Sequence, residues 1–365
     1  MKITIIGCGN SGCAHAFKLS ENGHSVTLLK TSHAMHDENF DIIQKNGGIW
    51  GIDHTNNNKK SFQNIILATR NVKEALNDSE VIMIMTQSIN HESIAKLIAP
   101  FIPKTLKLLV VIPGNLGSLY FRQYIFDESV IIAEGESTPY DARIIEPGTV
   151  TILFKNVRNA LGFLPQNQSS QGLAIASNLF DTYRYLRSNV IESALHNPNL
   201  VVHTVGTIMS ASRIEYSKGE FWMYKEAFSP SIWNLITKLD EEKNTVIKKY
   251  SGVPASYLDV AKWRNEEDLT KDSLDVFKSY GEDGGPKGPT TIYSRYLLED
   301  VANGLVLLSS FGSLAGVQTP VTNALIEIAS SLVNIDFRRI GRTPEKFMIV
   351  FRSVEQPKIT RNIQA

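Results

Sequence analysis

The chain opens on KITIIGCGNSGCAHA, residues 2–16, a short apolar run that ends in Gly7 and passes through Gly9 and Gly12 into an amphipathic segment. No other stretch limits the fold as tightly. Glycines at G-x-G-x-x-G spacing between a strand and a helix permit a tight turn, a close approach of backbone to a pyrophosphate, and close helix-to-strand packing. The phosphates would sit at the helix N-terminus, where amides lack acceptors. Gly7, Gly9, Asn10, Ser11 and Gly12 are therefore the candidate phosphate contacts, and a dinucleotide is the expected ligand. A glycine turn that binds nothing is the plainer alternative, but it does not require three glycines at this spacing.

The second apolar run, HSVTLLKTS, bears on which dinucleotide. NAD is usually held by an acid at the end of this strand, bonded to the ribose 2′-hydroxyl. Here the run ends in Lys30, Thr31 and Ser32. A cation and two hydroxyls suit a 2′-phosphate, which favours NADP over NAD; a lysine solvated at the strand end is the alternative.

Downstream, EVIMIM, LKLLVVIPGN and SVIIAE alternate with helical spacings such as HESIAKLIAPFI. Near-continuous apolar strands separated by helices predict a parallel sheet covered on both faces, an α/β Rossmann-type doubly wound fold. GGIWGIDHTNNNKKSFQNIILATR, with its asparagine cluster between alternating runs, predicts a small antiparallel excursion. GTVTILFKNVRNALGFLP adds strands, and the helical QGLAIASNLFDTY closes this half near residue 185. Helical periods then take over, at roughly 203–218, 229–249, 255–263, 293–314 and 320–334. The expected division is a nucleotide-binding domain over residues 1–185 and an all-α domain over 186–365, with a polar tail after Phe351.

A chain of 365 residues is long enough for two cores. Lysine plus arginine equal aspartate plus glutamate at 37 each, so no basic surplus points to nucleic acid, and a small-molecule partner is favoured. With no signal-peptide pattern and no run of about 18 apolar residues, a cytoplasmic protein without a membrane span is expected. Cys8 and Cys13 lie within one turn and helix start, where neither a disulfide framework nor a four-ligand zinc site can be built, so no metal is expected. The apolar helices could bury a homodimer interface as readily as an intrachain core.

A cofactor at the carboxyl ends of the strands leaves the helical half to supply residues across the crevice. His203, in HNPNLVVHTVG, follows an apolar run and is expected to open a buried helix; a lone histidine of this kind is often a satisfied core residue. RYLLEDVANGLV, residues 295–306, sets Arg295, Glu299 and Asp300 directly before an apolar run. An ionised aspartate there is costly unless a donor or cation meets it. Asp300 is expected either to cap a helix beginning near Val301 or to pair with a histidine, whose tautomer it would fix.

The succession of G-x-G-x-x-G, NPNLVVH with SRIEYSKGEFWMYKEAFSPS, and KGPTTIYSRYLLEDVANGLVLLSSFGSLAGVQTP resembles the octopine/nopaline (opine) dehydrogenase family over roughly residues 1–345. The last segment is the most specific part. The resemblance implies a Rossmann half, a helical half of the 6-phosphogluconate dehydrogenase C-terminal-like kind, and NAD(P)H-dependent reductive condensation of an amino acid with a 2-keto acid. It also implies a catalytic histidine at His203, its partner aspartate at Asp300, a substrate-binding arginine at Arg295 and, through ESTPYDAR, an amino-acid contact at Glu136. Thr204 and Ala302 stand where the family usually has proline. Two rivals share the architecture. One is a ketopantoate-reductase-like or other 2-keto or 3-hydroxy acid dehydrogenase, which would recruit Lys225 in EFWMYKEAF as proton donor. The other is a regulator that senses NADP without turnover and needs no histidine–aspartate pair.

Overall fold

Twelve strands occur among the described residues of the computed structural model, which are 1–33, 35–282 and 287–347. The tail after Phe351 lies outside them. In chain order the strands are β1 (Lys2–Ile6), β2 (Ser25–Leu29), β3 (Gly48–Asp53), β4 (Lys59–Asn64), β5 (Leu67–Thr69), β6 (Val81–Ile84), β7 (Leu108–Val111), β8 (Ile131–Gly135), β9 (Tyr140–Glu146), β10 (Thr149–Lys155), β11 (Asn159–Leu164) and β12 (Tyr183–Leu186).

Eight of these form the main sheet, in the order β12-β11-β8-β7-β6-β1-β2-β5. From β5 to β8 all pairs are parallel, whereas β11 runs antiparallel to β8 and β12 parallel to β11. Alternation along the strands divides their side chains between two cores. Ile6, Ile84, Val111 and Ile132 face the helical half, while Ile3, Ile5, Met83 and Val110 face the opposite layer. Both faces are apolar, which is why the strands read as near-continuous hydrophobic runs.

The asparagine-rich excursion is the antiparallel hairpin β3–β4. It does not stand alone: β10 joins β3 in parallel and β9 flanks β10, giving a second sheet of order β4-β3-β10-β9. This sheet lies on the helix Asn10–Glu21, so closely that a Cβ at Gly51 would come within 2.2 Å of the Phe17 ring.

After β12 the described residues contain helices only. His203 lies in the middle of Asn199–Met209 rather than at its start, because Pro198 and Asn199 begin the helix a turn earlier. Helices Val190–Leu195 and Ser273–Glu282 were not anticipated from spacing. The period expected over 293–314 is the run Arg295–Leu314, interrupted by a π-helical segment, Val301–Leu305. This run is long and apolar enough to cross a membrane by composition, contrary to the sequence expectation. Its apolar window is 78% buried inside the fold, as suits a core helix.

Side chains of the helical half hold loops of the sheet. Arg342 is buried, lies over the Tyr120 ring at 5.0 Å, and donates to the carbonyl oxygens of Ser88 (2.6 Å), Gly114 (3.1 Å) and Asn115. Glu299 Oε1 accepts from the Ser88 amide and hydroxyl, both at 2.7 Å, and Asn303 Nδ2 donates to the same hydroxyl at 2.8 Å. The loop after β6 is thereby gripped from two helical segments.

Candidate active site

The glycine loop separates what folding requires from what a ligand would require. Gly7 has φ +125°, and a Cβ there would stand 2.5 Å from the Met85 carbonyl oxygen; one at Gly12 would stand 1.9 Å from that of Gly7. The protein itself forbids side chains at both. At Gly9 a Cβ would meet nothing nearer than the His36 ring at 3.7 Å, an ordinary contact, so the fold itself does not require a glycine here, whereas the close approach of a pyrophosphate would. The helix from Asn10 carries no acid in its first turn and no side-chain cap. Its first amides, at Asn10, Ser11 and Gly12, are free of intrahelical acceptors, and they face the site with the positive end of the helix. The Asn10 side chain is spent elsewhere, its Oδ1 accepting from the Ile144 amide at 2.8 Å. The Ser11 carbonyl meets His15 Nδ1 at 2.6 Å, and its hydroxyl has no partner among the described residues. These residues fit a dinucleotide.

At the end of β2, Lys30 is not the solvated lysine of the plainer reading. It is 4% exposed, and its Nζ donates to the Met35 carbonyl at 2.8 Å and pairs with Asp37 at 3.1 Å. Arg70 bonds the same carboxylate at 2.9 Å and the Ser32 carbonyl oxygen at 2.6 Å. The two cations hold the Asp37 carboxyl below its usual range, Arg70 foremost. Thr31 is half-buried and Ser32 exposed.

In the helical half, His203 Nδ1 and Asp300 Oδ2 are 2.7 Å apart. Both residues are buried. Asp300 precedes the π segment, yet its side chain caps nothing; the carboxylate is occupied by the imidazole. Burial pushes the Asp300 carboxyl up, and the hydrogen bond from His203 opposes that shift. The Tyr296 ring lies flat on the imidazole, centroids 3.6 Å apart and planes within 5°. Nε2 has no hydrogen-bond partner among the described residues and is not sealed from solvent. A histidine fixed through Nδ1, covered on one face and open at Nε2 is arranged for proton transfer.

Arg295 is 46% exposed and uses its Nε on Glu299 Oε2 at 3.1 Å, leaving its terminal nitrogens without hydrogen bonds among the described residues. Glu136 is fully buried: Arg187 holds its Oε2 at 2.7 and 2.8 Å, and its Oε1 is buried without a partner. Lys225 is exposed on the short helix Met223–Glu226 and makes no hydrogen bond or ion pair among the described residues. Thr204 Oγ1 donates back to the Leu200 carbonyl at 2.6 Å, the acceptor that a proline at this position would leave unmet by its missing amide. The Ala302 carbonyl, inside the π segment, accepts from the Arg342 amide at 2.9 Å.

Three residues of this site escaped the sequence reading. Tyr296, Asp141 and Arg143 all lie within electrostatic reach of one another around the imidazole. Only the alternation of ESTPYDAR, which sets Asp141 and Arg143 on one strand face, offered a signal.

Residues 186–333 match the family described as NAD/NADP octopine/nopaline dehydrogenase, alpha-helical domain, and residues 2–120 match the NAD-dependent glycerol-3-phosphate dehydrogenase N-terminus. The chain is 31% identical over 357 residues to an opine dehydrogenase of Arthrobacter sp. (strain 1C), covering 94% of this chain and 93% of the relative. It is 24% identical over 351 residues to vitopine synthase of Allorhizobium ampelinum, covering 94% of each. An octopine dehydrogenase solved with NADH and agmatine shares the fold with a TM-score of 0.72 at 16% identity, over 95% of both chains. NADP+-bound yersinopine dehydrogenase does so with a TM-score of 0.72 at 12% identity, over 97% of this chain and 98% of its own.

Proposed function

This chain belongs to the octopine/nopaline dehydrogenase family, and from that premise we propose that it joins the amino group of an amino acid to a 2-keto acid, with His203 as acid and base and Asp300 as its orienting partner. The chain is an NAD(P)-dependent dehydrogenase acting on a CH–NH bond. The observation that carries the finer reading is the 2.7 Å bond between His203 Nδ1 and Asp300, whose carboxylate makes no helix cap.

When bound, the nicotinamide cofactor supplies the hydride that reduces the carbon–nitrogen double bond. His203 Nε2 delivers the proton that the departing keto oxygen needs as water leaves, and receives one from the attacking amine. Asp300 keeps Nδ1 protonated, so that Nε2 faces the substrate, and stabilises the ring when it is charged. Tyr296 covers one face of that ring. Arg295 offers two free nitrogens to the keto-acid carboxylate, in the forked geometry that arginine favours. Glu136 shapes the amino-acid subsite from behind, through Arg187 and through its one unpaired oxygen.

The preferred cofactor in this reading is NADPH. No acid ends β2, and the nearest one, Asp37, is already neutralised by Lys30 and Arg70. The buried reduced thiols of Cys8 and Cys13 suit a cytoplasmic setting.

The test is reduced-nicotinamide oxidation with pyruvate and each amino acid in turn. Oxidation that depends on both substrates, with a lower KM for NADPH than for NADH, is expected. Oxidation with the keto acid alone would overturn the condensation, and an NADH preference would overturn the cofactor assignment.

A further inference from the structure

On β9, Tyr140 and Ala142 turn into the core that includes the helix Asn10–Glu21, so Asp141 and Arg143 share the other face. That face meets the helical half. Phe154, the register partner of Asp141 on β10, touches Tyr280 edge-on at 6.4 Å, and Tyr280 in turn meets Tyr224 at 5.1 Å. Asp141 is within electrostatic reach of His203, Arg143 and Arg264. Tyr296, stacked on the imidazole, feels both Arg143 and Arg295.

The bonding of these two residues is incomplete. The Asp141 carboxylate makes no hydrogen bond or ion pair among the described residues, although the residue is half-buried. Arg143 is exposed, and among the described residues its side chain makes one hydrogen bond, from NH1 to the adjacent Ala142 carbonyl at 2.9 Å. Residues two apart on a strand have Cα atoms about 7 Å apart, close enough for an arginine to reach an aspartate, yet no ion pair forms. A cation and an anion are held side by side on this face, the anion within electrostatic reach of His203, each with bonding capacity to spare.

We propose that Asp141 and Arg143 form the clamp for the amino-acid substrate, Arg143 binding its α-carboxylate and Asp141 its amino group. This rests on the condensation proposed above. An amino-acid zwitterion presents one group of each sign across its α-carbon, which matches the pair. Arg295 then remains for the keto-acid carboxylate, and a product with two carboxylates lies across His203 with an arginine toward each end. The arrangement also selects against a second keto acid in the amino-acid position, since that molecule would bring nothing for Asp141 to bind.

The clamp is tested by amino-acid saturation curves at saturating cofactor and keto acid. Asp141→Asn and Arg143→Gln are each expected to raise the amino-acid KM by about tenfold or more, the scale of one lost charge-assisted hydrogen bond, with keto-acid KM within about twofold; kcat should fall more for Asp141→Asn, which loosens the attacking nitrogen, than for Arg143→Gln. Arg143→Lys should recover part of the loss. Calorimetric titration of the amino acid into enzyme loaded with oxidised cofactor should show the same weakening without turnover. An unchanged amino-acid KM in both variants, or a rise in the keto-acid KM instead, would overturn the clamp. Should the unaltered enzyme oxidise no cofactor with any amino acid, the condensation reading fails, and the titration still decides whether these two residues bind the zwitterion.

Discussion

The glycine loop and the His203–Asp300 pair are made of different material. The loop is backbone: its working parts are amides and the space that missing side chains leave, all within residues 7–12. The pair is two side chains 97 positions apart in sequence, brought to 2.7 Å by helices that pack only in the finished fold. A site built from local backbone shows itself in residue spacing; one built from distant side chains does not. The difference also predicts how each end fails.

The largest expected effect is at the side-chain end. His203→Ala and Asp300→Asn should each lower kcat by roughly 10³–10⁴-fold, with the double variant little worse than His203→Ala alone, because residues that act as a unit are not additive. Cofactor affinity, read by quenching of protein fluorescence, should hardly change. A fully active Asp300→Asn enzyme would reduce the pair to packing.

At the backbone end the expected losses are smaller and divide by position. Gly12→Ala places a methyl against the Gly7 carbonyl and should lower both melting temperature and cofactor affinity. Gly9→Ala meets no protein atom closer than 3.7 Å, so its melting temperature should stay within about 2 °C while cofactor Kd rises on the order of tenfold to a hundredfold. Equal thermal losses for the two variants would erase the distinction between folding glycines and a ligand glycine.

The smallest effect sharpens the contrast between two buried histidines. His15 has no carboxylate beside it, and burial lowers its pKa from 6.5 to about 4. Between those values the unfolded chain binds the proton and the folded one does not, so stability falls as pH drops through the window. At pH 5 the loss from this residue is about 2 kcal/mol. His15→Gln should flatten that part of a denaturation-against-pH series, and an unchanged slope would show that His15 is not held neutral.

Much of the first domain was legible because parallel strands buried on both faces leave long apolar runs, and because the family's segments lie in order along the chain. The second sheet was not. β10 pairs with β3 across almost a hundred residues, and no local pattern encodes that partner. Lys30 read as a contact for a 2′-phosphate, with a solvated strand end as the alternative, since nothing in its own segment announces Asp37 as its partner. Glu136 fell in the expected segment, but only the fold shows Arg187 closing over it. The candidates His203 and Asp300 were readable as residue types, and their contact was not.

The π segment Val301–Leu305 gives the site a tolerance in chain length that the helix around it lacks. A π turn holds one residue more than the α turn it replaces. Loss of a single codon here would let Arg295–Leu314 close into an uninterrupted α-helix with the portions on either side still in register, so Asp300 would keep its place beside the imidazole. The same loss within Val306–Leu314 has no extra residue to absorb it and would turn the two sides by roughly 100° against each other.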